Sequence, residues 1–192
     1  MVMNLKSNTQ LINKKTESTF TIRDIVICGM FSALLLVLQV ALAILPNIEL
    51  VSLFVIVYTL VFKRKTLVII YTFALLEGLI YGFGIWWFMY LYVWTILYII
   101  VCAFRKNDSS VFWAVTGGFF GLIYGALCSI PYLIAGGIGA GITWWIRGIP
   151  YDILHGVGNF IVILILFRPL YSVLYKMYYG MEKQMEKHHI HL

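Results

Sequence analysis

Between Ile25 and Phe167 the chain is a succession of apolar runs, with its charged and turn-forming residues confined to the short breaks between them. Such runs are hard to place in a soluble domain, where about 25% of residues are charged; here 11% are charged and 62% hydrophobic. They suit a bilayer, whose hydrocarbon core a helix of about 20 apolar residues crosses. A chain of 192 residues has room for roughly six such helices and little else. The expected fold is therefore an all-α integral membrane protein, a six-transmembrane-helix bundle with short loops and no soluble catalytic module. Residues 1–22 read as a cytoplasmic leader, 23–176 as the six-helix membrane domain and 177–192 as a basic cytoplasmic tail.

The breaks define the spans. Span one covers about Ile25 to Leu45 and stops at Pro46-Asn47. Span two, about Leu50 to Phe62, is short for a full crossing and closes at Lys63-Arg64-Lys65. Span three runs from about Leu67 to Tyr81, before Gly82-Phe83-Gly84, and span four from about Trp86 to Phe104, before Arg105-Lys106-Asn107-Asp108. Span five, about Val111 to Ala135, breaks up at Gly136, Gly137, Gly139 and Gly141; span six, about Tyr151 to Phe167, ends at Arg168-Pro169. The leader, with Lys6, Lys14, Lys15 and Glu17, lacks the apolar core of a signal peptide.

Charge orients the bundle. With the N-terminus inside and six spans, thirteen of the fourteen basic residues fall on the inner side, as the positive-inside rule asks. Both termini are then cytoplasmic, and the net charge of +6 needs no nucleic-acid partner to explain it. Cys28, Cys102 and Cys128 lie in or at the ends of apolar runs without CxxC spacing, as small buried residues rather than metal ligands or a disulfide framework.

The basic residue left outside is Arg147, in the stretch TWWIRGIPYDILHGVGN from Thr143 to Asn159. Flanked by Trp144 and Trp145, it either snorkels at the interface or grips a carboxylate or phosphate at the mouth of a pocket. After the expected turn at Gly148-Ile149-Pro150, Asp152, His155 and Asn159 are spaced to share one helix face. Polar groups heading a membrane span are costly unless paired or facing water. Glu77, within a turn of the outer end of span three, is a functional candidate on the same ground, although a salt bridge to Arg147 would satisfy it equally. Glu49 reads as a solvated loop charge, and Gln39 as a polar side chain reaching a pocket or a neighbouring helix.

Trp86, Trp87, Tyr90, Trp144, Trp145 and Tyr151 gather near the outer face, as an interfacial aromatic belt does. Tyr92, Trp94, Tyr98, Tyr124 and Tyr132 reach deeper, and a pocket they line would suit a planar, amphipathic ligand. Gly117, Gly121 and Gly125, with Gly118 alongside, form a face for tight helix packing; Gly29 and Ala33 repeat that spacing in span one.

No HExxH, GxSxG, Walker A or paired-cysteine motif is present, so any active transport would draw its energy from elsewhere. Asp152 with His155 leaves open a small intramembrane enzyme, although a hydrogen-bonded structural or ligand-contacting pair is the commoner use; a non-enzyme is expected. His188, His189 and His191 lie in the tail, without a specific role beyond weak metal binding.

Six spans in under 200 residues, a basic leader, the small pair Gly29 and Ala33, and the polar stretch Arg147 to Asp152 before span six resemble the substrate-binding S components of energy-coupling factor (ECF) transporters. The resemblance covers nearly the whole chain through architecture rather than a unique motif. It implies a plasma-membrane bundle that captures a vitamin or cofactor outside, joins a membrane T component and two ATPase subunits that use ATP, and topples to release its cargo. The first helix of that family meets the T component through small residues, often AxxxA; Gly29 and Ala33 match, departing from alanine at the first position. Its ligand sits under the first and fifth loops, matched here by Pro46 to Glu49 and Gly136 to Pro150. Arg147, Asp152, His155, Asn159, Glu77, Trp87, Trp144, Trp145 and Tyr151 are the candidate substrate contacts, with no intrinsic cofactor or metal. A tetrapyrrole, haem or cobalamin-like, would use His155 on its metal and Arg147 on its propionates or amides. A smaller aromatic vitamin would stack on the rings and bond to Asp152 and Asn159. A non-binding accessory subunit, with Arg147, Asp152 and His155 paired to one another and no cavity, is the remaining alternative.

Overall fold

A computed structural model describes residues 20–44 and 48–190, with side chains described up to residue 180. Most of the leader, the break at Pro46-Asn47 and the side chains of His188, His189 and His191 lie outside the described residues. Among the described residues the chain is all-α, with six helices and no strand: α1 (Ile22–Leu42), α2 (Val51–Phe62), α3 (Lys65–Tyr81), α4 (Ile85–Ala103), α5 (Ser110–Cys128) and α6 (Ile130–Ile190). Four stretches are long and apolar enough to cross a membrane: Ile22–Leu42, Ile85–Ala103, Ser110–Cys128 and Ile130–Gly180.

Local chemistry sets the helix starts. Thr21 and Asp24 form a reciprocal capping box at the head of α1, with the Thr21 hydroxyl accepting from the Asp24 amide and the Asp24 carboxylate from the Thr21 amide. Ser109 caps α5 by accepting from the Phe112 amide at 3.4 Å, and is itself fixed by donating its amide to Asn107 Oδ1 at 2.9 Å. Between α3 and α4 the chain turns at Gly82, whose φ of 85° a side chain would resist.

Helix α2 is the hub. Eleven of its twelve residues are buried, and it packs against each of the other five helices. A surface helix keeps one polar face; α2 keeps none, and its two hydroxyl residues other than Tyr58, Ser52 and Thr59, are buried and hydrogen-bonded within the bundle. Phe31, Tyr58, Phe62 and Tyr178 continue the packing as ring contacts about α2, at centroid distances of 4.9 to 5.5 Å.

The largest departure from the expected layout is in α6. The glycine run does interrupt the chain, at Gly137 alone, with φ 78° and ψ 177°. Residues 132 and 144 would be about 18 Å apart along an unbroken helix, yet the Tyr132 and Trp144 rings stack at 5.0 Å. Gly141 likewise packs on the backbone of Leu133. The chain therefore reverses at Gly137 and resumes helix immediately. Pro150, expected at a turn before span six, lies inside this helix, as does Pro169. An isolated proline removes one hydrogen bond, and the remaining bonds carry the helix through.

The returning limb of α6 runs antiparallel to α5 along the glycine face. Gly117 meets Ile163, Gly118 meets Phe160, Gly121 meets the Gly156 backbone and Gly125 meets Asp152. Small residues bring the two backbones together, as the spacing predicts. At the opposite end of the bundle from Glu49, Lys65 Nζ donates to Asp24 Oδ1 at 2.6 Å and to Tyr178 Oη at 2.8 Å. The Arg23 guanidinium lies 5.4 Å from the centre of the Tyr178 ring. This cluster ties the ends of α1 and α3 to α6.

Candidate functional site

The short segment Ile48–Leu50 enters α2, whose first amide groups lack intrahelical partners and carry partial positive charge. Glu49 answers both needs: its carboxylate accepts from the Ser52 amide, with Oε2 at 2.9 Å. One turn of α6 faces the same point. His155 Nε2 lies 3.1 Å from Glu49 Oε1, and its ring meets Tyr124 edge-on at 4.7 Å. Burial pushes the Glu49 carboxyl up, but the hydrogen bond and attraction of His155, with the Ser52 contacts, outweigh it and hold the group below the usual carboxylate range. The sequence reading of Glu49 as a solvated loop charge is thus corrected. Loop acids and helix-capping acids look alike until the helix start is placed; the signal was its position three residues before Ser52.

These groups line a cavity of about 410 Å³ at the Glu49 end of the bundle. That volume lies within the roughly 300–1,000 Å³ range of small-molecule pockets. Gln39 at the end of α1 reaches it and donates to Tyr90 Oη at 3.3 Å, so it contacts both pocket and neighbouring helix. Glu77 of α3 lines it, is 3% exposed, and has Oε1 without a hydrogen-bond partner among the described residues. Tyr90 and Trp94 of α4 and Tyr124 of α5 form aromatic walls, with successive ring centroids 5.7 and 5.8 Å apart. Trp94 Nε1 is a second buried group without a partner among the described residues. Among the described residues the lining thus has two carboxylates and one imidazole, and no lysine or arginine.

The remaining sequence candidates are distributed differently. Asp152 and Asn159 share the buried face with His155, as their spacing requires, but neither lines the cavity. Asp152 Oδ1 accepts from the Gly125 amide at 2.9 Å, and Asn159 Nδ2 donates to Ser52 Oγ at 3.1 Å. They fix α6 against α5 and α2 and so hold His155 in place. Trp87 donates to the Ala74 carbonyl at 2.8 Å and closes the α3–α4 hairpin. Arg147, Trp145 and Tyr151 are exposed, while Trp144 is half-buried on Tyr132. Arg147 precedes His155 by eight residues, about 12 Å along a helix, and forms no ion pair with Glu49, Glu77 or Asp152. The expected turn at Pro150 would have folded it over the pocket; the continuous helix carries it away. Gly29 and Ala33 lie exposed on the outer side of α1, and a Cβ at Gly29 would meet nothing within 4 Å.

The chain matches no family model, no curated protein and no solved structure.

Proposed function

We propose that this chain is the substrate-capture subunit of an ATP-driven uptake system of the ECF type, binding a vitamin- or cofactor-sized molecule in the cavity at its Glu49 end. The observation that carries the reading is that cavity: buried polar groups against aromatic walls, at the end of the bundle away from Lys63-Arg64-Lys65 and Arg105-Lys106. In this reading six transmembrane helices cross a plasma membrane with both termini cytoplasmic and that end outside, a topology that the positive-inside rule supports. Such a subunit is not an enzyme and has no cofactor of its own. A T component and two ATPase subunits supply the energy, and the open small-residue face at Gly29 and Ala33 supplies a docking line for the T component.

A ligand smaller than a tetrapyrrole fits this geometry better. Arg147, which would hold a tetrapyrrole's propionates or amides, stands away from the cavity, and one nitrogen of His155 is already engaged by Glu49. The accessory-subunit alternative needs Arg147, Asp152 and His155 bonded to one another; Asp152 and His155 instead bond to Gly125 and Glu49. Those separate partners also leave the two without a shared reactant for acid–base chemistry.

Mass spectrometry of small molecules released from protein purified in detergent tests the reading. A vitamin- or cofactor-sized molecule released by wild type and lost on His155→Ala is expected, together with recovery of a T component and ATPases in a gentle pull-down. No released molecule, no binding from a vitamin panel and no co-purifying subunits would overturn it.

A further inference from the structure

Beyond size and flatness, the cavity has a charge. Its titratable lining consists of Glu49, Glu77, His155 and the phenols of Tyr81, Tyr90 and Tyr124. Glu49 and His155 face each other at 3.1 Å, so the Glu49 carboxylate offsets any charge on the imidazole and the pair carries no positive excess. Glu77 is left over. The residue lines the cavity, is 3% exposed, and has its Oε1 buried without a partner among the described residues. An anionic carboxylate taken out of water needs a counter-charge or a strong donor, and among the described residues no lysine or arginine lines the cavity to supply one. Trp94 Nε1–H, equally buried and without a partner there, offers a donor. The faces of Tyr90, Trp94 and Tyr124 add the negative ring potential that attracts cations.

We propose that the captured molecule is an organic cation with a flat ring, its positive nitrogen on Glu77, an acceptor atom towards Trp94 and its ring among Tyr90, Trp94 and Tyr124. Glu77 is then the counter-ion that selects charge, while the Glu49–His155 pair shapes the floor. The assignment rests on the capture reading for its biological purpose, but the charge preference is a property of the cavity and is testable alone.

Benzamidinium, benzamide and benzoate present one ring with a positive, neutral or negative head. Calorimetric titration of the full chain in detergent should rank benzamidinium first, tighter than benzamide by at least about tenfold, the scale of a hydrogen bond to a charged group. Benzoate should not bind. Glu77→Gln should bring benzamidinium and benzamide to parity. Equal binding by wild type, a preference for benzoate, or a cation preference surviving Glu77→Gln overturns the proposal. A second measurement needs no variant: a hydrophobic carbodiimide should label Glu77, and benzamidinium but not benzamide should slow it. Labelling unaffected by benzamidinium counts against the assignment. A neutral or anionic molecule released from purified protein would keep the capture reading and sink the cation. The expected charge ranking without a released molecule or partner subunits would keep the cation site and sink uptake.

Discussion

Glu49 shows how a single side chain can serve fold and site together. It caps α2, accepts from His155 and lines the cavity. Its carboxyl is held below the ordinary value of 4.5, so it adds stability above that pH, and the contribution disappears as acid protonates the folded form. Thermal unfolding of wild type should therefore fall away below about pH 4.5, with Glu49→Gln starting lower and losing less over the same interval. Profiles that stay parallel would show that the pair contributes nothing. Asn159→Ala should cost about 1–3 kcal/mol by leaving the Ser52 hydroxyl without its buried donor, read as a lowered unfolding midpoint. Arg147→Ala should change stability by no more than about 0.5 kcal/mol and leave benzamidinium binding intact. A collapse of binding would return Arg147 to the site. Glu77 and His155 were legible in the sequence because a polar residue within an apolar run announces itself. Arg147 announced itself in the same way, but where it points depends on whether the chain turns at Pro150, and the residue itself does not encode that.

At the level of elements, one glycine of α5 and one of α1 give substitutions of opposite sign. A Cβ at Gly121 would lie 2.8 Å from the Gly156 backbone, where neither helix can yield locally. Gly121→Ala should destabilise by about 1–3 kcal/mol and displace the turn carrying His155, weakening benzamidinium binding as well. Gly29→Ala meets open space within a helix and should stabilise by about 0.5–1 kcal/mol. Thermal unfolding of the two variants side by side checks both, and equal effects would refute the α5–α6 contact. The positions of α1 to α4 were readable because charge clusters, the Pro46-Asn47 break and the Gly82 turn punctuate them. The α5–α6 boundary was not. Four glycines between Gly136 and Gly141 all permit a reversal, but the backbone uses only Gly137, and proline, a reliable stop in water, is tolerated inside an apolar helix.

For the molecule as a whole, the proposed topology separates two ends by charge. A cysteine replacing Arg147 should react with a membrane-impermeant maleimide added to intact cells, whereas one replacing Arg64 should react only after permeabilisation; the reverse result would invert the bundle. The proposed orientation rests on charge distribution in the sequence alone, while the cavity needed the helices brought together, since its lining comes from the whole span between Gln39 and His155. The encasement of α2 bears on how the protein is made. Twelve residues span about 18 Å, well short of a bilayer's hydrocarbon core of about 30 Å, and this helix offers lipid almost no surface of its own. It is poorly suited to wait alone in the membrane after synthesis. In the proposed topology its insertion is shared with α1 and α3 as they emerge, and the enclosure waits for α6, which follows the other five in chain order. The cavity floor at Glu49 and His155 is therefore completed only when the end of the bundle arrives.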